Sequence, residues 1–339
     1  MTDYIERINT ELRSSREFSC EALDLFGGCG GLSLGFESLG ISTVGFEKDP
    51  DAVNTYNRNL KGHCENVLLS LDSQYPSTKI LIGGPPCQPF SVGGHQFGLH
   101  DSRDGFPIFI AAVEKLQPEI FLFENVRGLL YSNRWYFDEI VSALEKLGYL
   151  VEHRLLNAIK YGVPQNRERL FVVGHRGKFR FPAHEAKAYT VSDAIGDSLH
   201  SFEDDSKFLT ESMDQYIKKY EIASKCINPR DLYPNRPSRT LTCRNIAAPT
   251  GDMIRLRLPD GRRRRLSVRE AARLQSFPDW FRFEGNETSQ FYQIGNAVPP
   301  MLGRALAKSV VNYLDSQFRH SLDDIMQMNL ESQSLLLTI

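Results

Sequence analysis

Up to about Arg176, short apolar runs alternate along the chain with segments whose apolar residues recur every three or four positions. Ala22-Leu23-Asp24-Leu25-Phe26, Ser42-Thr43-Val44-Gly45-Phe46-Glu47, Ile80 to Gly83, Ile120 to Glu124 and Leu170 to Val173 have the length and near-continuous hydrophobicity of buried strands. Ile108 to Leu116 and Phe137 to Leu144 carry helical spacing instead. Such alternation predicts an α/β fold: a doubly wound, mostly parallel sheet covered on both faces. From His175 to about Phe283 the pattern dissolves into scattered prolines and glycines around one helical segment, Met213 to Ile217, which predicts a second, smaller, irregular domain. Helical spacing returns from Pro299 to Val311, with proline in the first turn. The expected division is an N-terminal extension over 1–20, a main domain over 21–176 plus 286–318, a small domain over 177–285 and a polar tail over 319–339.

Composition narrows the class. The 339 residues are 41% hydrophobic and 24% charged, as in ordinary soluble globular proteins. No apolar run approaches membrane-spanning length, and Met1 to Arg7 does not read as a signal peptide. The six cysteines show no Cys-x-x-Cys spacing, which argues against a zinc site or a disulfide framework and fits a reducing, cytoplasmic setting. The formal net charge of −2 gives no sign of a nucleic-acid partner. Its distribution differs: Arg255, Arg257, Arg262, Arg263, Arg264, Arg265 and Arg269 crowd one stretch, either a solvated face or a phosphate-contacting one.

Candidate chemistry concentrates at strand ends. Gly84-Pro85-Pro86-Cys87-Gln88-Pro89-Phe90-Ser91 follows the strand at Ile80 to Gly83 and presents Cys87 on a stiff turn at the carboxyl edge of the sheet. A cysteine that only packed would not need that lead-in, so Cys87 reads as a nucleophile. Asp24-Leu25-Phe26-Gly27-Gly28-Cys29-Gly30-Gly31-Leu32-Ser33 is a glycine-rich strand-to-helix turn, and Glu47 ends the next strand, where a carboxylate meets ribose hydroxyls. Ser33 stands where the dinucleotide fingerprint has glycine, so an adenosyl cofactor without a pyrophosphate suits the turn better. Glu124 ends another apolar strand, which raises its pKa. Arg167 and Arg169 alternate at the next strand, and two cations near a cysteine favour its thiolate.

Together these segments resemble the DNA (cytosine-5-)methyltransferases of prokaryotic restriction–modification systems. The likeness runs from about Ala22 to Leu314, through Phe26 to Gly31, Pro85-Pro86-Cys87-Gln88, Glu124-Asn125-Val126, Gln165-x-Arg167-x-Arg169, Arg265 to Asp279 and Gln293 to Pro299, in the family's order. The resemblance implies a sheet of the S-adenosylmethionine-dependent methyltransferase type and a target-recognition domain over 177–285. It implies that Cys87 adds to carbon-6 of a flipped cytosine, that Glu124 holds N3 and the exocyclic amine, and that Arg169, supported by Arg167, binds the carbonyl at position 2. S-adenosylmethionine, leaving as S-adenosylhomocysteine, would lie on Phe26, Gly28, Gly30, Gly31, Glu47, Lys48, Asn66, Pro86 and Asn296, with no metal. Lys48 stands where some relatives place a large apolar side chain over adenine, and Asn66 replaces an acidic residue whose hydrogen bond its oxygen can still accept.

The partner implied is double-stranded DNA, contacted by Gln88, Ser91, Arg239, Thr240, Arg244, Arg263 and Arg265. The resemblance also turns Arg255 to Arg269 into a phosphate-contacting wall, and Gln88 through Asp101 and Arg103 into a loop closing over DNA. A monomer is expected, with a restriction endonuclease acting on the same site. Competing readings are a transfer-RNA cytosine-5 methyltransferase, against which Pro89-Phe90-Ser91 and the separate variable domain weigh, and a non-catalytic DNA-binding regulator, against which the presence of Cys87, Glu124 and both arginines weighs.

Overall fold

The five strands expected from apolar runs are the five consecutive inner strands of one seven-stranded sheet. The computed structural model describes residues 2–13, 20–87, 104–200, 204–223, 225, 230–247 and 251–317. Its first half runs α1 (Asp3–Glu11), β1 (Cys20–Leu25), α2 (Gly31–Glu37), β2 (Ile41–Glu47), α3 (Pro50–Asn59), β3 (His63–Asn66), β4 (Ile80–Gly83), α4 (Phe106–Leu116) and β5 (Ile120–Val126). Then come α5 (Gly128–Tyr131), α6 (Arg134–Lys146), β6 (Leu150–Asn157), β7 (Gln165–Asn166) and β8 (Glu168–His175). The remainder comprises α7 (Val191–Ile195), α8 (Glu211–Ala223), β9 (Ser238–Arg239), α9 (Cys243–Ile246), β10 (Arg255–Arg257), β11 (Arg263–Arg265), α10 (Val268–Leu274), α11 (Glu287–Asn296) and α12 (300–317).

Strand order is β3-β2-β1-β4-β5-β8-β6. The five strands from β3 to β5 pair in parallel, and β8 runs antiparallel to both β5 and β6, so the sheet is mostly parallel as expected. The chain winds outward in opposite directions from β1 and β4, which opens a crevice at their carboxyl ends. Two apolar cores flank the sheet: one joins Ala22, Ile80, Ile82 and Phe171 to α1, α2 and α12, the other joins Leu23, Leu81, Phe121 and Phe123 to α4 and α6. No helix among the described residues is long and apolar enough to cross a membrane.

The N-terminal segment is an integral brace. Thr2 caps α1, and Tyr4, Ile5, Ile8 and Leu12 are buried in the core that also contains Leu274, Phe277 and Phe281. Tyr4 Oη donates to the Arg273 carbonyl at 2.6 Å, and the Arg7 guanidinium grips Glu185 at 2.7 and 2.8 Å. One helix thereby joins segments near both ends of the irregular region.

The arginine stretch lies in that region and needs a correction. Arg255 and Arg264 are fully buried and Arg263 nearly so. Arg255 pairs with Asp231 at 2.7 Å and with Glu221; Arg263 meets Asp214 at 2.5 Å; Arg264 holds Glu270 at 2.7 and 2.8 Å. Arg269 donates to the carbonyls of Pro278 and Phe281. The expected phosphate wall therefore does not exist at Arg255, Arg263, Arg264 and Arg269, because carboxylates on α8, Asp231 and Glu270, and those two carbonyls, draw their guanidinium groups inward. Arg257 and Arg262 are exposed, each against a carboxylate, and Arg265 is half-buried. Since Ile217 is the buried residue of α8, ion pairs rather than apolar area fasten that helix to β10 and β11.

Arg264→Ala strands Glu270 as a buried charge and should cost about 3–5 kcal/mol in urea unfolding. Arg262→Ala, at the surface, should stay within about 0.5 kcal/mol. Equal effects of the two would contradict the inward-facing assignment.

Candidate active site

A cavity of about 930 Å³ opens at the carboxyl edge of β1, β2, β4 and β5. At one end, Phe26 and Gly28 leave β1 with left-handed backbone, at φ +60° and +56°. For Phe26 that conformation is rare, and for Gly28 it leaves open space where a side chain would project. Glu47 Oε2 accepts the Gly28 N–H at 3.0 Å, while its Oε1 accepts those of Lys48 and Asp49, both at 2.9 Å. One carboxylate thus ties the glycine turn to the start of α3. Of the residues expected at a cofactor, Phe26, Gly28, Gly31, Glu47, Lys48, Pro86 and Asn296 border the cavity.

Gly30 and Asn66 do not border it. A side chain at Gly30, where φ is +83°, would strike Tyr56 and Leu60, so this glycine serves the turn. Asn66 Nδ2 donates to the carbonyls of Lys48 at 2.9 Å and Glu47 at 3.2 Å, pinning the β2 terminus, and the wall beside it is formed by Val67, Leu68 and Leu69. Those three residues were missed because they follow a short exposed strand with no periodic signal.

Asp24 was also missed, although a carboxylate inside an apolar strand is a signal. It is buried at the cavity wall and accepts Ser33 Oγ at 2.6 Å, and burial pushes its pKa up to about 7. The serine that departs from the dinucleotide fingerprint is therefore this carboxyl's partner.

At the other end Cys87 and Glu124 face the same cavity. Asn125 Nδ2 donates to the Pro85 carbonyl at 2.9 Å, and the Gly105 N–H to that of Pro86 at 3.0 Å, so β5 and the start of α4 lock the proline turn. Glu124 Oε1 lies 2.9 Å from Arg169 Nε. Burial raises the Glu124 pKa, and Arg169 and then Arg167 oppose that rise. Arg167 diverges from Arg169: its buried guanidinium donates to the carbonyls of Leu241 at 2.6 Å, Gly295 at 3.0 Å and Ala297 at 3.1 Å.

The expected activation of Cys87 by these arginines needs correcting. Burial, with Asp104 second, pushes its thiol up to about 12, and the cations act on Glu124 instead. Asp104, Asn125 and Tyr292 complete the wall without having been singled out.

A second cavity, of about 390 Å³, is lined by Asn166, Arg236 to Thr240 and the parallel pairing of β7 with β9. Thr240 Oγ1 donates to the Asn166 carbonyl at 2.8 Å, and Arg239 and Arg244 are exposed. Gln88, Ser91 and the segment up to Arg103 lie outside the described residues. Among the described residues, no group of three or more His, Cys, Asp or Glu side chains is placed to hold a metal.

Residues 20–312 match the family model of the C-5 cytosine-specific DNA methylases. The chain is 54% identical over 321 residues to the type II methyltransferase M.AplI of Arthrospira platensis, covering 93% of this chain and 92% of that one. It is 34% identical to the type II methyltransferase M1.HphI of Haemophilus parahaemolyticus, over 85% of this chain and 86% of the relative. The methyltransferase EhMeth of Entamoeba histolytica superposes with a TM-score of 0.68 at 19% identity, covering 88% of this chain and 99% of that one, a likeness of fold.

Asp24 generates a pH prediction. Its folded pKa, about 7, lies above its unfolded value, so between about pH 4 and 7 the folded chain holds a proton that the unfolded chain has lost. That contribution is whole below the unfolded pKa and is lost as pH rises through the folded one, at up to roughly 1.4 kcal/mol per pH unit. Asp24→Asn should flatten the fall in urea-unfolding stability across that window, and an unchanged slope would contradict the shift.

Proposed function

The chain belongs to the family of C-5 cytosine-specific DNA methylases, and on that premise we propose that it methylates a flipped cytosine through a covalent Cys87 adduct. It is a DNA (cytosine-5-)methyltransferase of the restriction–modification type that uses S-adenosylmethionine on double-stranded DNA. The observation that carries the mechanism is convergence: Cys87 after β4 and Glu124 on β5 face one cavity, with Arg169 on β8 clamped to Glu124.

Carbon-5 of cytosine is a weak nucleophile. Sulfur addition at carbon-6 converts the ring into an enamine and makes carbon-5 electron-rich. Glu124, which burial inclines to keep its proton, meets N3 as electron density moves there, and Arg169 holds the carbonyl at position 2. Sulfur and methyl group must both approach perpendicular to the ring, whose faces are covered by stacking in a duplex, so the base must leave the stack.

The residues fit the methyl donor. Gly28 leaves space, Glu47 stands at a strand end, Val67 and Leu69 supply an apolar wall, and Gln293 Oε1 is buried without a hydrogen-bond partner. Phe26, Gly28, Glu47, Pro86 and Asn296 would hold the donor, whose sulfonium supplies an electrophilic methyl group. Glu47 and Asn296 would orient it, while Phe26 would exclude water. We further propose a cytoplasmic monomer that protects sites cut by a partner endonuclease.

Cys87→Ser should abolish methylation while leaving S-adenosylhomocysteine binding, read by calorimetry, within about twofold, because the exchange of sulfur for oxygen alters none of the side chains proposed to hold the donor. Duplex DNA with 5-fluorocytosine at the target should trap the native enzyme covalently, since fluorine is not removed as a proton is. Full activity in the serine variant would sink the nucleophile assignment.

Site choice belongs to the lobe around β9. Arg239→Ala or Arg244→Ala should alter which sites appear methylated in bisulfite profiles, because a lost bidentate contact to guanine typically costs ~1–3 kcal/mol of discrimination. Uniformly lower yield with unchanged preference would assign both arginines to phosphates.

A further inference from the structure

The adduct reading leaves one step without an agent. A thiol pushed up to about 12 is almost wholly protonated near neutrality, and the arginines act elsewhere. The proton must go somewhere as sulfur attacks.

One carboxylate acts on it: the negative charge of Asp104 is the second cause that holds the thiol protonated. The Gly105 N–H to Pro86 carbonyl hydrogen bond, 3.0 Å long, joins the two segments so that Asp104 and Cys87 flank the same link. Both residues border the active-site cavity. Gly105 permits this approach, because a methyl group there would collide with Pro86. Asp104 is itself 2% exposed. Its Oδ1 accepts the Phe106 N–H at 3.1 Å and its Oδ2 the Tyr136 hydroxyl. Both carboxylate oxygens are thus held in place by a hydrogen bond. Among the described residues, ionisable groups near this end include Tyr136 on α6, Tyr292 on α11, and Glu124 on β5 with Arg169 on β8, the last two paired with each other.

We propose that Asp104, held by Tyr136, is the general base that takes the Cys87 proton during attack on cytosine. The step balances. As the S–C6 bond forms, the thiol proton passes to the Asp104 carboxylate and the ring's π electrons shift to N3, where the Glu124 proton meets them. Carbon-5 would then take the methyl group as the donor's sulfonium–methyl bond breaks. When the methylated ring loses its carbon-5 proton to solvent water, N3 returns its proton to Glu124 and the C6–S bond breaks. Its electron pair returns to sulfur, which takes the proton back from Asp104. The assignment rests on the covalent reading above and names a role that Glu124 and the arginines do not fill.

Asp104→Asn tests it, since the amide keeps the shape and can still accept from the Phe106 N–H. Two rates are read across about pH 6 to 9: alkylation of Cys87 by iodoacetamide without DNA, and single-turnover methylation. Removing the neighbouring negative charge should speed alkylation, because the thiol then ionises more readily. Methylation near pH 7 should instead fall about 100-fold and recover roughly tenfold per pH unit as hydroxide makes the thiolate. Opposite movements are the signature of a base; methylation unchanged or faster in the variant would overturn the proposal.

Tyr136→Phe keeps the carboxylate and removes one donor, so the acid limb of the methylation profile should move to higher pH. An unmoved limb would also overturn the proposal, and this variant carries the test if Asp104→Asn does not fold. Trapping by 5-fluorocytosine DNA separates the two levels. No trapping by the native enzyme sinks the adduct reading itself, whereas equal trapping rates for native and Asp104→Asn enzymes sink only the assignment of Asp104.

Discussion

The buried guanidinium of Arg167 is the contact on which both ends of the site depend. It reaches the Leu241 carbonyl in the irregular lobe and the Gly295 and Ala297 carbonyls where α11 ends at the cavity. Gln165 extends the link by accepting the Leu241 N–H and donating to Gln275, which donates in turn to Ile294 and Ala297. A planar fork serves three carbonyls lying in different directions, which a lysine ammonium would not do with the same geometry. An apolar replacement would strand those carbonyls, at about 1–3 kcal/mol for each that finds no other donor. Burial depresses the Arg167 pKa strongly, and the nearby Glu124 carboxylate works against that depression. The charge that helps set the Glu124 proton is thus the same charge that fastens the lobe to the catalytic body.

Most of the sheet was legible because its inner strands are buried on both faces and read as unbroken apolar runs. Edges are different. In β3 only Cys64 is buried, and β6 exposes Leu150 at 59%, so neither carries a run or a clean alternation. Helix α1 was passed over because its apolar residues, Tyr4, Ile5, Ile8 and Leu12, are few and separated by charges, and its worth appears only when Arg273 and Glu185 come to meet it. The cavity residues at strand ends were legible for the same topological reason as the sheet. Those contributed by connections, Val67 to Leu69 and Asp104, were not, since nothing local marks where a loop returns to the crevice.

The arginine stretch shows where charge patterning misleads. A run of cations reads as a surface when its carboxylate partners are distant in sequence. Asp214, Glu221 and Asp231 precede Arg263 by 49, 42 and 32 positions, and only folding brings them together. The near-neutral whole-chain charge was the better guide, because it is consistent with cations that are internally compensated.

That compensation bears on how such an enzyme would hold DNA. If the buried arginines spend their charge on α8 and α10, sequence-independent attraction to phosphate cannot come from them, whatever their number. The exposed cations at the β7–β9 seam, Arg236 and Arg239, border a cavity that Asn166 and Thr240 also line, and Arg244 is exposed on α9. The seam is joined to the catalytic body by the Gln165 and Arg167 hydrogen bonds. Gln165 and Arg167 stand four and two positions before Arg169, which holds Glu124, so the seam and the Glu124 pair are separated by a short stretch of one chain. On the proposed function, that stretch is the covalent route by which a DNA contact at Arg239 would bear on the placement of Glu124.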